Sequence, residues 1–184
     1  MITVPINKLL FIDIETVGCE PDWDSFKKNK PELSFQFEHI QDNLRKRFPE
    51  ESDTPLSQLF VNRAALVPEF LKIVCVSAAF VVDGVVKIQS FHSNDEKKLL
   101  QDVQKLLYRS GELGFFLCGH NVKGFDIPAL AKRMIINGVL PPKLFIIMAT
   151  FLSFNFITEV NLSHSLVTMS LKGANGSLSL PASP

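Results

Sequence analysis

The apolar run at residues 8–14 (KLLFIDI) is interrupted by a single acid, Asp13, and this constrains the fold more than any other feature. A run this short with an acid inside it reads as a buried strand. Downstream of it, the chain alternates between helical and strand spacings. Leu33, Phe37, Ile40 and Leu44 recur at helical spacing inside the charged segment 27–47, which is expected as one solvent-laced helix. Thr54 is the expected N-cap of the next helix, with Pro55 at its first turn and Leu56, Leu59 and Phe60 on one face. Segments 72–82 and 85–91 are β-rich and joined by Asp83-Gly84, a hairpin signal. Ser93 to Glu96 has capping-box spacing and opens a helix that buries Leu99, Leu100, Val103, Leu106 and Leu107. Tyr108 falls near the end of that helix. A second short strand is expected over 114–119, and a last helix over 126–137 with Pro128 near its start and Gly138 at its C-cap. The phenylalanines, Phe115 and Phe116 included, are expected in the core. Strands interleaved with helices, with a hairpin near the front, define an α/β fold with a mixed sheet.

Charge divides the chain. Residues 1–144 carry 18 acids and 18 bases, whereas 145–184 carry only Glu159 and Lys172, hold seven serines and end in Leu-Pro-Ala-Ser-Pro. An ordinary domain surface has about a quarter charged residues, so the tail does not read as the second half of the same domain. The expected organisation is a domain over 1–144, with a helical insertion at about 20–66, and an atypical uncharged tail over 145–184. Cys19, Cys75 and Cys118 are odd in number and lack CxxC spacing, which fits a reduced compartment rather than a disulfide scaffold or zinc site. The longest apolar stretch, 144–157, has fourteen residues including Thr150, Ser153 and Asn155. A membrane span needs about 20, so the chain is expected to be soluble and cytoplasmic. A formal net charge of zero removes the simplest argument for nucleic acid but allows a local basic groove.

Two places put carboxylates where a core would reject them. Asp13 and Glu15 lie two apart on the first strand (FIDIET) and so project to one face. Carboxylates paired on a buried strand repel and lose solvation unless a cation sits between them, and oxygen ligands select Mg²⁺ or Mn²⁺. The alternative is an exposed strand end bearing two solvated acids. The second place is Gly119-His120-Asn121-Val122-Lys123-Gly124-Phe125-Asp126, between a strand and a helix. There Asp126 is either the helix N-cap or a third metal-facing carboxylate, with Asn121 as polar partner and Phe125 packed beneath the loop. Lys27, Lys28, Lys30, Arg45, Lys46 and Arg47 read as a solvated face in preference to a groove. Lys132 and Arg133 are expected to complement the C-terminal half of their helix, while His39 and His92 carry no signal.

Taken together, FIDIET and GHN-x-x-x-FD resemble the first two motifs of the DEDD superfamily of 3′-5′ exonucleases, which have the ribonuclease H-like fold. Within it they are most similar to the bacterial group related to the proofreading domain of family-B DNA polymerases. Asp13, Glu15, Asn121, Phe125 and Asp126 match D-x-E and N-x-x-x-F/Y-D position by position, and 65–77 (ALVPEFLKIVCVS) is similar to the region between those motifs. The resemblance covers about residues 7–144. It implies a hydrolase of phosphodiester bonds acting at single-stranded DNA 3′ ends, with RNA as the other possible substrate. It also implies two Mg²⁺ or Mn²⁺ ions about 4 Å apart. Asp13 would bridge them, Glu15 and Asp126 would each serve one, and Thr16, Asn121, Lys123 and Phe125 would contact substrate.

The family also has a third motif, Tyr-x-x-x-Asp or His-x-x-x-x-Asp, and here the pattern breaks. No aspartate follows Asp126, Tyr108 precedes the second motif, and His164 is followed at the required spacing by Met169. The break coincides with the change in composition. A frameshift or miscalled end is the first expectation for 145–184, ahead of a degraded pseudoenzyme and of a genuine tail that packs or binds a partner. In the first two cases the catalytic set is incomplete and hydrolysis is impaired. The competing expectation is an inactive nucleic-acid-binding or interaction module of the same fold.

Overall fold

The computed structural model describes residues 4–145. It is an α/β structure whose four-stranded mixed sheet, flanked by helices, has the order β3-β2-β1-β4. The described residues divide into two compact units, 4–14 with 75–145, and Glu15–Val74.

In the first unit lie the start of β1 (Leu9–Gly18), most of β2 (Leu71–Val82), β3 (Val85–His92), α4 (Glu96–Glu112), β4 (Phe116–Cys118) and α5 (Asp126–Ile136). β4 runs parallel to β1, pairing Leu9 with Phe116 and Phe11 with Cys118. β2 and β3 form an antiparallel hairpin that closes at Val82 and Val85. Asp83 and Gly84 both have positive φ (50° and 74°), as a two-residue turn matched to the strand twist requires. In β4 Leu117 is buried and Phe116 is 41 % exposed. Phe116, the first residue of this short strand, is therefore not in the core as expected, while Phe115 before it is buried.

The start of α4 differs from the expected capping box. Asp95, not Ser93, is the N-cap and accepts from the Lys98 N–H at 3.2 Å, while Ser93 Oγ accepts from the Asp95 N–H. Glu96 is therefore the first helical residue, buried, and it faces α5 instead of closing a box. Arg133 Nε and Nη2 donate to the Glu96 carboxylate at 2.9 and 2.6 Å, and Asn137 Nδ2 adds a third donor at 3.1 Å. Arg133 lies in the last turn of α5, as expected, and in addition holds two helices together. Gly138, at φ 68°, ends α5 by donating its N–H to the Ile135 carbonyl.

The second unit contains α1 (Trp23–Asn29), α2 (Pro31–Arg47) and α3 (Leu56–Arg63). The single helix expected over 27–47 is two helices, broken at Lys30 (φ −140°, ψ 61°). Pro31 disfavours helical backbone in the residue before it, and then opens α2 as an N-terminal proline. Thr54 does not cap α3: Pro55 stands at the N-cap without a side-chain hydrogen bond, and Thr54 bonds the Glu51 carboxylate. That carboxylate also accepts from Asn62 and from Arg63 Nε at 2.9 Å, and the Arg63 guanidinium lies 4.0 Å from the centre of the Phe48 ring.

An aromatic cluster fills this unit: Trp23, Phe26, Phe37, Phe60 and Phe70 are buried with Leu44, Leu59 and Ala64. Phe26 stacks on Phe60 at 4.4 Å, and Phe37 meets Phe60 and Phe70 edge-on. Phe26→Ala is expected to cost about 3–5 kcal/mol, read as a fall in the urea midpoint, because the ring leaves a cavity among fixed neighbours. Phe35→Ala is the control: its ring is 60 % exposed on the same helical unit, and the change should stay within about 0.5 kcal/mol.

Among the described residues no helix is long and apolar enough to cross a membrane. The change in composition at residue 145 and everything expected of 145–184 lie outside the described residues, apart from Phe145, which is buried.

Candidate carboxylate site

The site is built where β1, the loop after β4 and the first residue of α5 meet. Along β1 the odd positions Asp13 and Glu15 are exposed while Ile12 and Ile14 are buried. The apolar partners hold the strand in the core and leave both carboxylates on the opposite face. Asp13 belongs to the first compact unit, as do Asn121, Lys123, Phe125 and Asp126; Glu15 and Thr16 belong to the second.

The loop after β4 approaches β1 closely. A Cβ on Gly119 would stand 2.5 Å from the Ile12 carbonyl oxygen, so only glycine lets this backbone cross the strand one residue before Asp13. Val122 is buried beneath the crossing. Asn121 takes a left-handed conformation (φ 48°), which asparagine tolerates better than most residues, and its carbonyl accepts from the N–H groups of Gly124 and Phe125. The Asn121 amide fills the space where a Cβ on Gly124 would lie. Its side chain therefore shapes the turn that launches α5.

Asp126 is not the N-cap of α5. Phe125 holds that position, without a side-chain hydrogen bond, and Asp126 is the first helical residue, only 4 % exposed. Burial is the main influence on its carboxyl and pushes the pKa up; its own N–H opposes this, the neighbouring Asp13 charge adds to the rise, and the Ile14 N–H and His120 draw it back. The Asp13 charge thus lies near enough to raise the Asp126 carboxyl, and the Ile14 N–H on β1 acts in the opposite direction. Of the two alternatives that spacing leaves open for Asp126, the N-cap is set aside.

The other candidates divide. Lys123 and Asn121 are exposed and Phe125 is half-buried. The Thr16 hydroxyl donates to the Ala65 carbonyl at 2.8 Å, so it serves the second unit's fold. Among the basic residues, Arg45 is committed to the carbonyls of Glu51 and Ser52. The buried Glu96–Arg133–Asn137 cluster escapes helix-end reasoning, because an acid and a base on facing helices leave no short-range signal.

Two adjacent carboxylates, one of them desolvated, suit a hard divalent cation as counter-charge. Among the described residues no group of three or more histidine, cysteine, aspartate or glutamate side chains could hold a metal ion. The described residues are therefore short of a complete two-ion site.

A raised carboxyl has a definite linkage sign. The folded state holds the Asp126 proton more tightly than the unfolded state, so stability falls as pH rises from the ordinary aspartate range through the raised folded pKa, and stays lower above it. Asp126→Asn keeps an acceptor for the Ile14 N–H and removes the charge. The variant is expected to match or exceed the parent's Tm at neutral pH, with its advantage vanishing in acid; thermal unfolding across that pH range measures it.

Comparison of the chain with protein-family models, with curated proteins and with solved structures finds no match.

Proposed function

We propose that this chain carries a ribonuclease H-like domain of the DEDD 3′-5′ exonuclease type, impaired in hydrolysis because the third motif is missing. The observation that supports it is the pairing of Asp13 with the buried Asp126 at the β1–α5 junction, the two elements that bear the first two motifs. Neither burial nor charge repulsion at Asp126 improves the fold, and such costs accumulate at sites with a task.

In this reading Asp13 and Asp126 would hold Mg²⁺ or Mn²⁺, which when bound would neutralise the phosphate and lower the pKa of water. Asp126 opens α5, so the first helical turn fixes its backbone beside the loop after β4. Asn121 sets the turn, and exposed Lys123 is available to a backbone phosphate. The substrate is a single-stranded DNA 3′ end, gripped by backbone and terminus.

The test is hydrolysis of a 3′-labelled single-stranded DNA by the full chain, with Mg²⁺ or Mn²⁺ and with chelator. Slow, metal-dependent loss of 3′ nucleotides that disappears in Asp13→Ala supports the reading. Activity that survives Asp13→Ala sinks it, and a strong preference for RNA would make the domain a ribonuclease. The second reading, a binding module without catalysis, draws on the absence of any aspartate after Asp126. Single-stranded DNA binding without turnover at any metal concentration would favour it.

A further inference from the structure

We propose that Cys75 and His92 form a two-ligand chelate for a thiophilic divalent cation of the Zn²⁺ class, on the more exposed face of the β2–β3 hairpin. The two residues are direct cross-strand partners in the antiparallel register, so their side chains leave the sheet on one side. Opposed Cβ atoms in such pairs are about 4.5–5.5 Å apart. That spacing lets a sulfur and an imidazole nitrogen converge on one ion at bond lengths of roughly 2.3 and 2.0 Å.

The surroundings favour access. Cys75 is a free thiol, half-buried, and His92 is exposed at the end of β3. The next pair on the same face is Ser77 with Ser90, whose hydroxyl oxygens are 3.0 Å apart, followed by Ala79 with Ile88 and Val81 with Val86. No acid or base belongs to these four cross-strand pairs other than His92. Cys118 is buried, its thiol pushed up by desolvation, and cannot supply a comparable ligand.

Sulfur and imidazole select Zn²⁺ or Co²⁺ over Mg²⁺, so this site and the carboxylate site take different ions. On binding, the Cys75 thiol releases its proton to solvent, the thiolate and the neutral imidazole each donate a lone pair, and water fills the remaining positions. The proposal is independent of the exonuclease reading.

Co²⁺ titration of the reduced full chain tests it. The expected result is a thiolate-to-cobalt charge-transfer band that Zn²⁺ displaces, absent in Cys75→Ser and present in Cys19→Ser. His92→Gln should weaken Co²⁺ binding by at least about tenfold, since one of two protein ligands is gone. Zn²⁺ should also slow alkylation of Cys75, read by peptide mass spectrometry, in the parent and not in His92→Gln. Both positions are on the sheet surface, and circular dichroism checks that the variants fold. A band that survives Cys75→Ser, an unchanged affinity in His92→Gln, or alkylation indifferent to Zn²⁺ would each overturn the proposal.

Discussion

Gly119→Ala is expected to destabilise the protein by about 2–4 kcal/mol, because the added methyl has to displace backbone rather than a side-chain tip. Its Cβ would meet the Ile12 carbonyl oxygen at 2.5 Å and Val122 Cβ at 3.2 Å. The loop must lift from β1, and with it the start of α5. The expected result is a lower urea midpoint and, under the proposed metal-binding role, weaker divalent-cation binding as the start of α5 moves. Gly111→Ala gives the contrast. Gly111 is inside α4, and a Cβ there would reach Leu144 Cβ at an ordinary 3.7 Å. Alanine at a helical position should be neutral or stabilise by up to about 1 kcal/mol. If Gly119→Ala were as stable as the parent, the close crossing of loop and strand would be wrong.

Arg133→Ala is expected to cost about 3–5 kcal/mol, since it leaves the Glu96 carboxylate buried without its bidentate partner. Glu96 is 7 % and Arg133 8 % exposed, and the pair joins the first turn of α4 to the last turns of α5. Replacing both residues together, Glu96→Leu with Arg133→Met, should recover most of the loss, because neither charge then remains buried. A double-mutant cycle by chemical denaturation reads the difference. Equal losses for the single and the double variant would mean that packing, not charge, dominates this junction.

Much of the fold is legible in local pattern. The β1 run, the Asp83-Gly84 turn, the amphipathic α4 and the Gly138 stop each depend on residues within a few positions of one another, and such signals survive without tertiary context. The departures share a cause. Ser93 and Thr54 satisfy the composition of a cap, but the neighbouring Asp95 is the better placed oxygen for α4 and a proline holds the N-cap of α3. Hydrophobicity alone assigns Phe116 to the core, but it is exposed at the start of β4. The site is half legible: spacing places Asp13 and Glu15 on one face of a strand but leaves Asp126 open between a helix cap and a buried acid.

The sequence by itself determined most of the elements, though not the break at Lys30, and the two acidic motifs, because strand alternation, helix period and turn chemistry act over short separations. It also determined that no aspartate follows Asp126. Only the tertiary structure decided that Asp126 is buried beside Asp13, that Gly119 is a crossing point, that Glu96 and Arg133 are partners and that Cys75 faces His92. Each of those joins residues at least 17 positions apart, and no local pattern encodes which distant side chain will arrive. Register and packing do, through the burial that only the assembled sheet and helices supply.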